Sequence, residues 1–247
     1  MPVIVGYCAA SIDRADLALP LMPPPIPTLL FCTSFCPNEA AWRGRPRRWL
    51  DHHLALPLAH DAVFVLDDAS PFVPTDDDVM VLETLPGTPP QQAAAFVYRF
   101  AAREGRAGVM GHRGWWRSFL YSLTIARRYG YARIVHIESD AYLLSRKIVE
   151  YINAIDHGWT VFWCPRYNCP EPSLQVIASD QFDAMADVAA RGLEKLTQGI
   201  AEMTLPFTHI ERAFTGNRYG EFRRTIPGYA DFACQVNSPS MPTVYRE

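Results

Sequence analysis

Short, continuously apolar runs recur along the chain and are separated by segments in which apolar positions follow a helical spacing. Runs of this kind, bounded by turn residues, are typical of strands buried on both faces. They occupy residues 28–33, 61–66, 79–82, 134–137, 160–163 and 174–178.

The intervening segments carry apolar residues three and four positions apart, which predicts amphipathic helices. Residues 39–56, 91–103, 115–129, 146–156 and 181–191 follow this spacing. Gly130 and Gly192 are placed to end two of these helices, and Ser145 and Asp180 are placed to cap the amino termini of the last two.

Strands therefore alternate with helices through most of the chain, and the strand runs are apolar throughout instead of alternating. This pattern predicts an α/β fold with a mostly parallel central sheet and helices on both faces. In such sheets ligands bind at the carboxyl ends of the strands. We expect the whole chain, residues 1–247, to form a single domain, because a core of this size can be buried by one α/β unit.

The composition is that of a folded soluble protein, with 49% hydrophobic and 20% charged residues, and the net charge of −3 argues against a nucleic-acid partner. A short basic cluster between Arg43 and Arg48 is interpreted as a solvated loop face, the alternative being contact with a phosphate or an anionic acceptor. We expect a cytoplasmic protein with no transmembrane segment, because no apolar run is long enough and no signal peptide is evident. Its six cysteines would then be thiols.

The run at 134–137 ends in two acids, Glu138 and Asp140, separated by Ser139. Side chains two apart on an extended chain point the same way, so the two carboxylates are expected close together at the strand end. Hard oxygen ligands suit Mn²⁺ or Mg²⁺, which keep positions open for substrate phosphates. The alternative is that the two acids only solvate the end of a strand.

Three features in this order resemble the GT-A family of nucleotide-sugar glycosyltransferases: the strand ending in Asp67-Asp68-Ala69-Ser70, the helix that follows Arg113 and bears Arg117, and the strand ending in Glu138-Ser139-Asp140. The resemblance covers residues 28–192 and implies a Rossmann-like GT-A fold. It further implies that residues 28–145 form the nucleotide-binding half and that residues 146–247 form the acceptor-side half.

The resemblance implies a role for each candidate site residue. Glu138 and Asp140 would be metal ligands for Mn²⁺ or Mg²⁺, with His209 as a third ligand. The residues implied in binding UDP or a UDP-sugar are Thr33, Ser34, Phe35, Asp67, Asp68, Arg117 and Ser139. Glu211 and Asp180 are the candidates for the catalytic base that activates an unknown acceptor.

Two departures from the family pattern affect this interpretation. Glu138 replaces the first aspartate of the metal motif, which places its carboxylate one methylene further out. Ala69 replaces the usual glycine, so the turn must avoid a positive φ or bear a small strain.

Several readings of the sequence compete. The first is a metal-dependent glycosyltransferase, and the second is a UDP- or nucleotide-sugar-binding protein on the same scaffold with little or no transfer. A sugar-1-phosphate nucleotidyltransferase is disfavoured because the segment after the first strand, 32–39, has no glycine. The absence of a G-x-G-x-x-G motif argues against a dinucleotide enzyme.

Overall fold

The computed structural model describes residues 26–91, 93–108 and 111–247, and within them a large central sheet dominates. Its eight strands, in chain order, are β1 (Thr28–Ser34), β2 (Ala62–Asp67), β3 (Val79–Leu82), β4 (Ala95–Arg99), β5 (Arg133–Ile137), β7 (Trp159–Cys164), β8 (Cys169–Ala178) and β9 (His209–Glu211). They lie in the order β3-β4-β2-β1-β5-β8-β7-β9. A small second sheet contains β6 (Tyr142–Leu143), β10 (Gly216–Asn217) and β11 (Phe232–Ala233).

Every strand of the large sheet runs in one direction except β8, which is antiparallel to both of its neighbours, β5 and β7. The pairing of β7 with β8 is interrupted between Val161, which pairs with Gln175, and Phe162, which pairs with Glu171. Residues 172–174 therefore form a bulge on β8. The prediction of a mostly parallel sheet is confirmed.

Helices cover both faces of the sheet, as the continuous apolar runs predicted. Their bounds are α1 (Glu39–Trp42), α2 (Arg48–Leu54), α3 (Arg113–Tyr129), α4 (Arg146–Ala154), α5 (Phe182–Ala190), α6 (Leu193–Leu196) and α7 (Ala201–Thr204). A π-helical segment, Arg43–Arg47, joins α1 to α2 and contains Pro46, which has no N–H to donate to a regular helix. One core layer packs under α2 and α4, and a second packs under α3 and α5.

The helix predicted over residues 91–103 is wrong. This segment contains strand β4, which pairs with both β2 and β3, and its residues Ala95, Phe96 and Val97 are buried. The spacing of its apolar residues fits a helix, but its β-branched and aromatic residues also fit a strand. The segment forms a strand because it can pair on one side with β2 and on the other with β3.

The helix ends follow the predictions only in part. Gly130 ends α3 in the left-handed conformation, with φ of 74°, as expected. Ser145 lies at the N-cap position of α4, but its hydroxyl donates to Asp231. Asp180 does not cap α5, which begins at Phe182 after a 3₁₀ turn. Its carboxylate accepts a hydrogen bond from the backbone N–H of Gly158 at 2.9 Å.

Within the described residues, no helix is both long and apolar enough to cross a membrane.

Candidate functional site

A cleft of about 1460 Å³ lies at the carboxyl ends of β1, β2 and β5. This is where the topology predicts a ligand, because the carboxyl ends of parallel strands meet at one edge of the sheet. The sequence-predicted residues that line it are Thr33, Ser34, Phe35, Asp68, Glu138 and Asp140. Since β8 is antiparallel, it brings its amino-terminal end, with Glu171, to the same edge.

The Glu138 carboxylate is held by donors from three different elements. Thr33 Oγ1 donates to Oε2 at 2.8 Å, His136 Nε2 lies 2.9 Å from Oε1, and Trp115 Nε1 also donates to Oε1. Burial alone would raise the pKa of Glu138, but His136 and these hydrogen bonds hold it below its ordinary value. Glu138 is therefore a fixed negative charge whose orientation is set by the protein.

The neighbouring Asp140 is in a different situation. Its side chain is 9% exposed, and its own backbone N–H is a nearby donor, but no other described residue donates a hydrogen bond to its carboxylate. Arg45 Nη2 lies 3.6 Å from Oδ2, too far for a hydrogen bond, and donates instead to Ser139 Oγ at 2.9 Å. Burial and the nearby carboxylates Glu138 and Glu171 raise the pKa of Asp140 to about 6 despite Arg45.

An unsatisfied carboxylate beside a second carboxylate fits a divalent cation of the hard, oxygen-binding kind. Mg²⁺ and Mn²⁺ take one or two protein carboxylates and complete their coordination with water and phosphate oxygens. Three or more His, Cys, Asp or Glu side chains are nowhere grouped for metal binding within the described ranges. The acid pair therefore fits a cation that is held jointly with a ligand, and does not fit an all-protein metal cage.

Both acids in the turn after β2 accept hydrogen bonds from other residues of the chain. Asp67 is buried and accepts hydrogen bonds from both the backbone N–H and the hydroxyl of Ser70, and burial raises its pKa. Asp68 accepts the backbone N–H groups of Glu104 at 3.1 Å and Gly105 at 2.8 Å. Ala69 between this pair and Ser70 takes a φ of 54°, so the strain expected from the missing glycine is present.

Arg117 completes the hydrogen bonding of Asp68. Its Nη2 donates to Asp68 Oδ1, and its guanidinium stacks on the Phe100 ring at 4.0 Å. Gly114, one turn earlier on α3, touches the same carboxylate so closely that a Cβ there would lie 2.1 Å from Asp68 Oδ2. Arg117 and Asp68 are thus a structural pair that joins the start of α3 to the turn after β2.

The first strand supplies a short polar and aromatic wall. The hydroxyl of Thr33 is engaged by Glu138, and Ser34 Oγ lies 3.3 Å from Cys36 Sγ. The ring of Phe35 is covered by the guanidinium of Arg103 at 3.7 Å. A planar cation stacked on this half-buried ring covers a surface for which a planar ligand would compete.

The candidates for a third metal ligand and for a catalytic base do not lie with the acid pair. His209 and Glu211 belong to β9, which is separated from β5 by β8 and β7, so about 14 Å of sheet lies between them. Asp180 follows β8 at the opposite edge of the sheet, because Ala178 pairs with the first residue of β5. None of these three residues lines the cleft, because strand order, which the sequence does not contain, places them elsewhere on the sheet; their roles stay predictions.

Sequence reasoning passed over several residues that the fold brings into the cleft. Arg45 belongs to the basic cluster interpreted as a solvated face. Its neighbours fit that interpretation: Arg43 pairs with Asp76, and Arg47 with Asp51 and Asp78. The signal for Arg45 was its helical position, since residues 43 and 47 share one side of a helix and residue 45 lies on the other.

A second missed group lies across the cleft from Arg45. Glu171 is buried and binds Arg218 through both carboxylate oxygens, at 2.5 and 3.3 Å. Arg218 also donates to Glu202 at 2.7 Å. Glu171 lies between the apolar runs 160–163 and 174–178, and Arg218 lies in a segment without a recognisable motif, so no local pattern singles them out.

Comparison with known proteins gives limited information. No protein-family model matches the chain, and no curated protein sequence matches it. A similar solved structure is the crystal structure of a glycosyltransferase involved in the glycosylation of the major capsid of PBCV-1. The two are 11% identical, the alignment covers 87% of this chain and 96% of that chain, and the TM-score is 0.45. A likeness this distant carries no argument about chemistry, so the functional conclusion rests on the site.

Proposed function

We propose that this protein is a metal-dependent glycosyltransferase of the GT-A type that binds a UDP-sugar and transfers the sugar to an acceptor. The observation that carries the proposal is the Asp140 carboxylate, which lies in the cleft without a hydrogen-bond donor from any other described residue, next to the fixed charge of Glu138. UDP as the nucleotide, and a closer resemblance of the sequence to majastridin, a small GT-A-like protein, belong to the same proposal.

In the proposed reaction the chain's own residues bind and orient the donor. Asp140, with the free lone pair of Glu138, would hold Mn²⁺ or Mg²⁺, which would supply charge neutralisation for the diphosphate leaving group. Phe35 would stack on the base once Arg103 moves aside, and Ser34 would contact the base or the ribose. Trp115 and His136 keep Glu138 in place, so that the acid pair does not reorganise when the donor arrives.

A second function, binding of a nucleotide sugar without transfer, is favoured by one specific observation. The residues expected to supply a catalytic base lie outside the cleft, and Glu171, which lies inside it, is bound to Arg218. Arg218 occupies both carboxylate oxygens of Glu171, so this ion pair would have to loosen before Glu171 could accept a proton from an acceptor.

The proposal is tested by measuring UDP affinity calorimetrically with Mn²⁺ and with EDTA. We expect Mn²⁺ to tighten UDP binding in the wild type, and we expect Asp140→Asn to lower the Mn²⁺-dependent affinity about a hundredfold, or about 2.7 kcal/mol. Asp78→Asn removes one carboxylate from an exposed ion pair outside the cleft and is the matched control. Equal UDP affinity with Mn²⁺ and EDTA would refute the metal role.

Hydrolysis of UDP-sugars then separates the two functions. Turnover that is lost in Asp140→Asn identifies a transferase. Tight, Mn²⁺-dependent UDP binding without turnover of any UDP-sugar identifies a binding protein.

A further inference from the structure

We propose that Arg45 is an exchangeable cation of the acid pair: it lies beside Asp140 when the divalent metal is absent, and it moves to the diphosphate of the ligand when the metal binds. The first half of this inference concerns Arg45 and the metal alone. The second half rests on the proposed function, because it takes the ligand to carry a diphosphate.

Three of the four arginines of the basic cluster, Arg43, Arg45 and Arg47, are used in different ways. Arg43 and Arg47 face acids outside the cleft and are held by direct ion pairs with Asp76 and Asp78. Arg45 faces the cleft from the opposite side of the same helical segment. Wide π-helical turns are frequent at functional sites, and this one places a cation where the strand ends meet.

The contacts of Arg45 are few and weak for an arginine that reaches a buried acid. Its side chain is 39% exposed, and its hydrogen bond within the described residues is to the neutral hydroxyl of Ser139. Its Nε is buried and has no hydrogen-bond partner among the described residues. Arg117, by comparison, donates directly to Asp68, is 19% exposed and stacks on an aromatic ring. Arg45 therefore lies near the Asp140 carboxylate without a direct hydrogen bond to it.

A divalent ion and Arg45 would compete for the Asp140 carboxylate in this arrangement. A divalent ion binds a carboxylate oxygen at about 2.1 Å, and Arg45 Nη2 already lies 3.6 Å from the same carboxylate. Two cations at such short range repel each other strongly in a partly buried site. A diphosphate on the metal offers Arg45 a better partner, because guanidinium groups bind phosphate through paired hydrogen bonds.

The exchange predicts two opposite changes in the Arg45→Gln variant: tighter binding of Mn²⁺ and weaker binding of the diphosphate. Without Arg45, Mn²⁺ alone has no competing cation, so we expect it to bind about threefold more tightly. At saturating Mn²⁺, UDP and inorganic pyrophosphate lose a charged contact, so we expect both to bind about tenfold more weakly. Mn²⁺ binding is followed by electron paramagnetic resonance, and UDP and pyrophosphate binding by calorimetry.

Arg43→Gln is the matched control, because it removes the same charge from the same helix on the side away from the cleft. We expect it to change each affinity less than twofold. Arg45→Lys keeps the charge without the planar fork and should keep Mn²⁺ affinity near the wild-type value while binding UDP less tightly. Circular dichroism melting of each variant verifies that the fold is intact.

The outcomes separate this inference from the proposed function. Unchanged or weaker Mn²⁺ binding in Arg45→Gln overturns the exchange, whatever happens to UDP. Unchanged pyrophosphate and UDP binding overturns the transfer of Arg45 to the diphosphate. If the wild type binds pyrophosphate with Mn²⁺ but not UDP, the nucleotide assignment fails, and opposite shifts of Mn²⁺ and pyrophosphate affinity in Arg45→Gln still support the exchange.

Discussion

Two acidic pairs lie at the ends of two strands of the same sheet, and they differ in how many hydrogen bonds the rest of the chain donates to their carboxylates. Asp67 and Asp68, after β2, have their carboxylates filled by donors from the chain itself. Glu138 and Asp140, after β5, differ from each other: the glutamate accepts hydrogen bonds from three side chains and keeps one lone pair free, and the aspartate is left open to the cleft. The pairs look alike in sequence, and their difference lies in what other segments of the chain bring to them.

The comparison shows how a binding carboxylate is distinguished from a structural one. A carboxylate whose lone pairs are all taken by protein donors gains nothing from a ligand unless those contacts break first. One that is desolvated and without donors is stabilised by the arrival of a cation. The open carboxylate is thus the better guide to function, although the sequence motif around Asp68 matches the family pattern as well as the motif around Asp140 does.

The largest expected difference between the pairs is in stability. Asp68→Ala leaves the largely buried Arg117 and two backbone N–H groups without their acceptor, so we expect a loss of about 3 kcal/mol in the free energy of unfolding. Asp140→Ala removes an unsatisfied buried charge, and we expect a change within about 1 kcal/mol. Urea denaturation of both variants measures the contrast; equal losses would contradict it.

A smaller effect is expected from pH. The pKa of Asp140 is raised to about 6, so protons compete with a metal below that value. Mn²⁺-dependent UDP affinity should fall roughly tenfold, or about 1.4 kcal/mol, for each pH unit below 6. The same shift gives the opposite sign for folding, because a raised carboxyl pKa adds stability as the pH falls from 6 towards 4.

The test for this pH dependence is calorimetry at pH 7, 6 and 5. Asp140→Asn should remove the pH dependence together with the metal effect. A steep dependence that persists in this variant would assign the titration to another group.

The smallest effect concerns the strained turn of the filled pair. Ala69 has a φ of 54°, a conformation that glycine adopts without the steric cost. Ala69→Gly should stabilise the protein by about 0.5 kcal/mol, because the relief of strain exceeds the added freedom of the unfolded chain by a small margin. Thermal unfolding at fixed pH measures this; a lower Tm than the wild type would show that the strain is not released.

Much of the fold was predictable because strands buried on both faces of a parallel sheet are continuous apolar runs in the sequence. The runs that became β1, β2 and β5 are apolar throughout, and their ends marked the edge where the cleft lies. β4 was missed because the apolar residues in and around this five-residue strand also fit a helical spacing. An apolar run identifies a strand only when its spacing or its content of β-branched residues does not also fit a helix.

The site was predictable only where it is made of strand ends. Asp140 and Glu138 follow directly from β5, whereas Arg45 reaches them from a segment more than ninety residues away along the chain. His209 and Glu211 were misplaced for the converse reason, since the sequence does not state that β8 and β7 lie between β5 and β9. Long-range order decides both cases, and one sequence alone does not carry it.

The bulge at residues 172–174 has a consequence for how this cleft can vary. Pro172 and Ser173 in the bulge supply carbonyls to His136 and to the backbone N–H of Glu138, while Glu171 just before it faces the cleft. Side chains of a strand alternate between its two faces, so removing a single bulge residue would turn Glu171 away and withdraw support from Glu138 at once. The floor of the cleft is therefore set by the length of this segment, and substitutions should be tolerated there far better than insertions or deletions.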